Sequence, residues 1–191
     1  MPPKKKYSKQ QIVDAAFELA RVEGIEGITA RKVADELGSS VAPIYVNFDD
    51  IKDLKKAVVD NVFKVSRALA KKEVTGDIFL DIGIASLRFA KEYSILFQEL
   101  VLKKNEYMEA YDQQVGKEII EEMKNDQELS DFNDEELRMI LLKMRVFQLG
   151  LSVMVANELL PEDFDEEAQI DLLASMGSDV ITATKISDEK I

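Results

Sequence analysis

Apolar residues recur at helical spacing along most of the chain, and almost nowhere in the alternation that a half-buried strand needs. Ile12, Ala15, Ala16 and Leu19 form one such stripe, which Gly24 halts. Val33, Ala34 and Leu37 form a second, which Gly38 halts. Ile51, Leu54, Val58, Val62, Val65 and Leu69 mark a longer one that runs towards Lys71 and Lys72 and ends before Thr75 and Gly76. A chain patterned this way reaches a core by packing helix against helix. The expected class is all-α, and 191 residues allow one domain or two small ones.

Start signals sharpen the first four helices. Ser8 and Gln11 have the spacing of a capping box, and Tyr7 with Ile12 that of the matching hydrophobic staple. Thr29 is placed to cap the second helix, and Asp50 with Asp53 to open the fourth. Between them lies "GSSVAPIYVNF", where Pro43 interrupts an otherwise helical pattern. With Ser40 as cap, Pro43 becomes the third helical residue, where the amide it lacks has no partner within the helix. Ile44 and Phe48 then share the inner face. Val41, Ala42, Pro43, Tyr45 and Asn47 are left for a partner.

Further on, helices are expected at about 77–90, 93–103 and 105–124. Asn133 and Glu136 cap another, running from 137 towards Pro161, that is apolar nearly all round and should be buried on more than one side. The last, about 166–185, mixes Ile170, Leu173, Met176 and Val180 with the small residues Ala174, Gly177 and Ser178. A pair of such helices from each of two chains would close into a four-helix bundle about a two-fold axis, so a homodimer is expected. Leu151, Met154, Leu173, Met176 and Val180 are its candidate interface residues.

Composition narrows the function. There is no histidine and no cysteine, which removes the commonest general base, thiol chemistry and disulfides. A carboxylate metal site in a bundle usually adds a Glu-x-x-His pair, which this chain lacks. The acidic runs 131–136 and 162–167 look like solvated helix starts. No enzyme, metal or cofactor is expected. The basic N-terminus has no apolar core behind it, and no run of about 18 apolar residues occurs. A cytoplasmic protein without a membrane span is expected.

Net charge is -12, but it is unevenly spread. Residues 1–11 carry +4, residues 12–54 carry -5 and residues 55–191 carry -11. The lysine arm is therefore a local exception in an acidic chain, and a candidate contact for a phosphate backbone.

Two short helices joined by "LGSSV" match a helix-turn-helix, whose second helix enters the major groove. Residues 12–54 as a whole resemble the N-terminal domain of the TetR family of transcriptional regulators. Thr29, Arg31, Ala34, Gly38, Ser40, Tyr45, Phe48 and Leu54 stand where that family's pattern expects them. The resemblance implies a three-helix DNA-binding head (residues 1–50) and a helical body for ligand binding and dimerisation (residues 51–191). It further implies a repressor that binds a palindromic operator as a homodimer and is released by a small-molecule ligand.

The expected DNA-binding set is Lys4, Lys5 and Lys6 of the basic arm, then Thr29, Arg31, Ser40, Val41, Ala42, Pro43, Tyr45 and Asn47, with Lys52 one residue beyond Ile51, where the family commonly has a lysine. Tyr45 would meet a phosphate and Arg31 the groove or backbone. Val41, Ala42 and Pro43 would offer only apolar contact, for example to a thymine methyl. In the body, Phe89, Tyr93, Phe97, Tyr107, Tyr111, Met144, Phe147 and Gln148 are the residue types from which a small-molecule pocket would be built. The rival reading is a helical adaptor that uses the Val41–Tyr45 face for protein contact without sequence-specific DNA binding.

Overall fold

The computed structural model describes residues 7–72 and 75–188, without the side chains of residues 78, 109–114, 187 and 188. Lys4, Lys5 and Lys6 lie outside the described residues, as does the side chain of Tyr111. Every regular element among the described residues is helical: α1 (Lys9–Glu23), α2 (Ala30–Glu36), α3 (Ala42–Asn47), α4 (Ile51–Ala70), α5 (Ile78–Glu92), α6 (Ser94–Leu96) with a π-helical turn (Phe97–Val101), α7 (Glu106–Met123), α8 (Asp134–Ala156) and α9 (Glu166–Asp188).

The chain forms two compact units. One comprises residues up to Ala68 together with Tyr93–Met108; the other comprises Leu69–Glu92 and the residues from Glu109 onward. This differs from a boundary at residue 50. Most of α4 belongs to the first unit, where Leu54 and Val58 are fully buried and Lys55 Nζ lies 2.6 Å from Glu26 Oε2 in the α1–α2 turn.

In the first unit the caps of α1, α2 and α4 act as their sequence predicts. Gln11 N–H donates to Ser8 Oγ at 3.2 Å and Ser8 N–H to Gln11 Oε1 at 2.9 Å. Lys32 N–H donates to Thr29 Oγ1, and Asp53 N–H to Asp50 Oδ1. Ile12, Val13, Ala16, Phe17 and Ala20 make the inner face of α1. Tyr7 hydroxyl donates to the Leu37 carbonyl at 2.7 Å, tying the chain before α1 to the end of α2.

The expected helix at 93–103 is broken instead into α6 and the π-helical turn, closed by Leu102 N–H to the Phe97 carbonyl at 3.3 Å. The extra residue in this wider turn re-aims the side chains that follow. Leu96, Phe97 and Leu100 are buried, and the Glu99 carboxylate accepts from the amides of Ile25 and Glu26. The Tyr93 ring lies 5.9 Å from that of Phe17, with the Arg21 guanidinium 5.1 Å from its centroid.

In the second unit α5, α8 and α9 pack together. Ile84, Leu87, Leu151 and Leu173 form one core. Met123, Leu129, Phe132, Leu137, Ile140, Met144 and Val180 form another. Gly83 permits the close approach of α5 to α9, since a Cβ there would stand 3.1 Å from Leu173 Cδ1. Arg88 Nε and Glu166 Oε1, 2.9 Å apart, join the same helices at their edge.

Two expectations about α8 and α9 are corrected. Leu151, Leu173 and Val180 are buried within the unit, and Met176 packs on the same core, so of the five expected interface residues only Met154 is exposed. The outward side of α8 carries Met139, Leu142, Val146 and Met154. The helix thus has two apolar sides, one covered and one not. By length and composition it is also the one helix among the described residues apolar enough to cross a membrane, but its inner side is taken by the bundle core.

Gly24 closes α1 at φ 80° and ψ 171°, a region open essentially to glycine alone, and a Cβ there would collide with the Glu99 carboxylate. Gly24→Ala is expected to cost about 1–3 kcal/mol in urea unfolding. Gly38→Asn, at φ 58° with nothing within 4 Å of its Cβ position, should cost well under that in the same assay.

Candidate nucleic-acid interface

The display of α3 begins with how its inner side is held. Ile44 is fully enclosed and Phe48 nearly so. The Lys9 ammonium stands over the Phe48 ring, 4.8 Å from its centroid, in a cation–π contact. The turn from α2 is equally fixed. Ser39 N–H donates to the Ala34 carbonyl at 2.8 Å and Gly38 N–H to that of Asp35 at 3.0 Å, with Gly38 in the left-handed region at φ 58°.

Ser40 does not cap α3. Val41 occupies the cap position and is already in the right-handed helical region, with no side-chain cap bond. The chain therefore enters the helix one residue later than a Ser40 cap requires, and Ser39 Oγ donates to the Ser40 carbonyl. Pro43 becomes the second helical residue and not the third. Its missing amide still costs no intrahelical bond.

What remains outward is mostly apolar. Val41, Tyr45 and Val46 are 40%, 56% and 61% exposed, with Ala42 and Ser40 beside them. Pro43 is half-buried, and Asn47 Nδ2 turns back to donate to the Pro43 carbonyl at 2.8 Å. Val46 was not among the residues the sequence singled out. The signal was present in the spacing, because Ala42, Tyr45 and Val46 stand at i, i+3 and i+4 on one helical face.

Around α3, Thr29 is engaged as the α2 cap, and Arg31 is exposed in the first turn of α2. Lys52 is exposed in the first turn of α4. Neighbouring cations are committed locally: Lys32 is paired with Glu23 and Lys55 with Glu26. Asp35, Glu36, Asp49, Asp50 and Asp53 add exposed acid on either side of α3.

The eight expected ligand residues are not brought together within either unit. Tyr93, Phe97 and Tyr107 belong to the first; Phe89, Met144, Phe147 and Gln148 belong to the second. Phe89, Phe97 and Met144 are buried, and Gln148 Nε2 donates to the Ser152 hydroxyl at 2.9 Å. Burial, with the carboxylates of Glu106, Glu26 and Glu99 nearby, pushes the Tyr107 phenol above its ordinary value of 10.0, so it stays a donor throughout the neutral range.

Residues 12–58 match the profile of the bacterial regulatory proteins of the tetR family. Over these residues, about a quarter of its length, the chain has the N-terminal domain of the TetR family. It is a DNA-binding transcriptional regulator, and a family of regulators bears out the expectation that it is not an enzyme. No curated protein sequence matches it. Among solved structures it is similar to a transcriptional regulator from Rhodococcus sp. RHA1, with 13% identity, a TM-score of 0.68, and coverage of 93% of this chain and 97% of that one. It is also similar to a TetR-like transcriptional regulator from Rhodococcus sp. RHA1, with 14% identity, a TM-score of 0.59, and coverage of 88% and 92%. At these identities the likeness is one of fold.

Removing only the exposed phenolic hydroxyl tests its assigned role. Tyr45→Phe is expected to weaken selected and random duplexes by the same factor, about 1.5–3 kcal/mol, as a hydrogen bond to a charged phosphate would. Fluorescence anisotropy on both duplexes checks it. A loss confined to the selected duplex would place the hydroxyl on a base edge instead.

Proposed function

We propose that this TetR-family regulator is a cytoplasmic repressor that binds a pseudo-palindromic operator as a homodimer and leaves it when a small-molecule effector binds. The observation that carries the reading is the outward side of α3, a short helix braced from within and offering Val41, Ala42, Tyr45 and Val46 to a groove. In a helix-turn-helix of this kind the second helix enters the major groove, and two-fold symmetry in the protein calls for two-fold symmetry in the DNA. Arg31, Ser40 and Lys52 supply polar contacts at the edges, and the lysine arm supplies further cations outside the described residues. Selection from a random duplex library tests this directly: an enriched inverted repeat supports the operator reading, and a library with no enrichment favours the adaptor.

The uncovered side of α8 supports the dimer. Met139, Leu142, Val146 and Met154 lie along it, and α9 contributes the exposed small residues Ser175, Ser178 and Thr182. An apolar stripe of this length on a protein surface usually marks a partner's seat.

Effector release is supported by the path of the chain. Tyr93–Met108 belongs to the first unit, while α5 before it and most of α7 after it belong to the second. A ligand held by residues such as Phe89, Phe147 or Gln148 would act on a segment whose Glu99 holds the α1–α2 turn. Coupling of this kind is typically about 1–3 kcal/mol and reciprocal, so operator should weaken an effector by the factor with which the effector weakens operator.

The dimer yields the sharper prediction. Leu142→Glu combined with Val146→Glu puts charge on the uncovered side of α8 without touching the bundle core. The variant is expected to sediment as a folded monomer of 21.6 kDa while the wild type sediments at twice that mass. A dimeric double variant would remove this side of α8 from the interface.

A further inference from the structure

We infer that α3 reads the C5-methyl groups of pyrimidines in the major groove, so that thymine and 5-methylcytosine are equivalent to it at the contacted positions. The inference rests on the DNA-binding reading and specifies what that surface recognises.

The argument is an inventory of what α3 holds out. Val41, Ala42 and Val46 are exposed and have no side-chain donor or acceptor. Pro43 has none either. Asn47 is the one amide on the helix, and its nitrogen donates to the Pro43 carbonyl at 2.8 Å. That leaves the Tyr45 hydroxyl as the polar side-chain group on the outward face of α3, with the Ser40 hydroxyl just before the helix. Arg31, the cation suited to guanine, stands on α2.

Base pairs are told apart in the major groove chiefly by their donors and acceptors, and the thymine methyl is the one apolar mark among them. A face of two valines and an alanine gains free energy from that methyl and pays desolvation against a bare amino or carbonyl edge. Thymine and 5-methylcytosine carry the methyl at the same place. They differ at position 4, where one has a carbonyl and the other an amino group. Distinguishing these needs a hydrogen-bonding side chain, and none of the apolar three supplies it.

The experiment uses the full-length protein and the duplex it enriches from a random library. Each thymine of the half-site is replaced in turn by deoxyuridine, which removes the methyl alone. Each T·A pair is also replaced by C·G and by 5-methyl-C·G. At the contacted thymines, deoxyuridine should weaken binding about fourfold per methyl, and roughly fifteenfold when both half-sites are altered. C·G should weaken binding at least as much, and 5-methyl-C·G should restore most of the loss. Val41→Ala and Val46→Ala, both exposed positions, should bring the thymine-to-deoxyuridine ratio towards one at the position each contacts and leave other positions unchanged.

Equal binding of thymine and deoxyuridine duplexes at every position overturns the inference. So does a selected half-site without thymine, or 5-methyl-C·G binding as poorly as C·G, which would mean that the hydrogen-bonding edge of the pair, at pyrimidine position 4 or purine position 6, is read. In each of these cases DNA binding itself stands. A library that yields no enriched duplex overturns the DNA-binding reading and this inference with it.

Discussion

A helix of six residues does not persist in water, because nucleation fixes several residues for each hydrogen bond gained. The outward face of α3 therefore exists only because its inward face is held. Ile44 and Phe48 are buried, Lys9 covers the Phe48 ring, and the Gly38 turn fixes the angle of entry from α2. This separates two tasks that a longer helix would mix. Inner positions set where the helix lies, and on the proposed reading the outer ones set what it reads. Exchanging Val41 or Val46 should consequently alter recognition while leaving the fold nearly untouched, whereas truncating Ile44 removes the platform for both.

The platform reaches further along the chain than the helix-turn-helix. Glu99 lies 74 residues beyond Ile25, yet its carboxylate takes up the amides at the turn between α1 and α2. Amides at a turn need acceptors, and a carboxylate is a stronger one than water. Gly24 leaves the room that carboxylate occupies, and the π-helical turn aims Glu99 at it. A local irregularity in the backbone thus fixes the turn that precedes α2 and Arg31. Because the chain on either side of Tyr93–Met108 belongs to the other compact unit, strain in α5 or α7 has a covalent path to that turn.

How much of this could be read beforehand depends on whether the signal was local. Helix limits were legible because caps are chemical: Ser8 with Gln11, Thr29, and Asn133 with Glu136 all bond as their spacing predicts. Ser40 failed because a cap hydroxyl accepts from the second or third helical amide, and with Ser40 as cap the third residue is Pro43, which has none; Val41 takes the cap position with no side-chain bond. The inward side of α8 was not legible for a different reason. Periodicity tells a helix from a strand, but a helix apolar all round has no moment to say which side turns inward. Leu151 and Met154 look alike in sequence; only the packing of α5 and α9 separates them. Glu99 reads as one surface acid among many, since its partners lie far away in sequence and a π-helical turn has no pattern of its own.

The acidity of the head then acquires a physical sense. Beyond the lysine arm, residues 12–54 carry -5, and the structure commits Lys32 and Lys55 to glutamates while leaving Asp35, Asp49 and Asp50 exposed near α3. Affinity for any duplex comes mainly from neutralised phosphates and released counterions, and this surface offers few of them. Such a head gains little from non-specific DNA. Apolar contact with methyl groups is insensitive to salt and present only at matching bases, so it raises specific binding without raising the background. Specificity is the ratio of the two. On the proposed reading, a head with few free cations and an apolar reading face trades absolute affinity for discrimination, and a second copy in a dimer would multiply that discrimination across both half-sites.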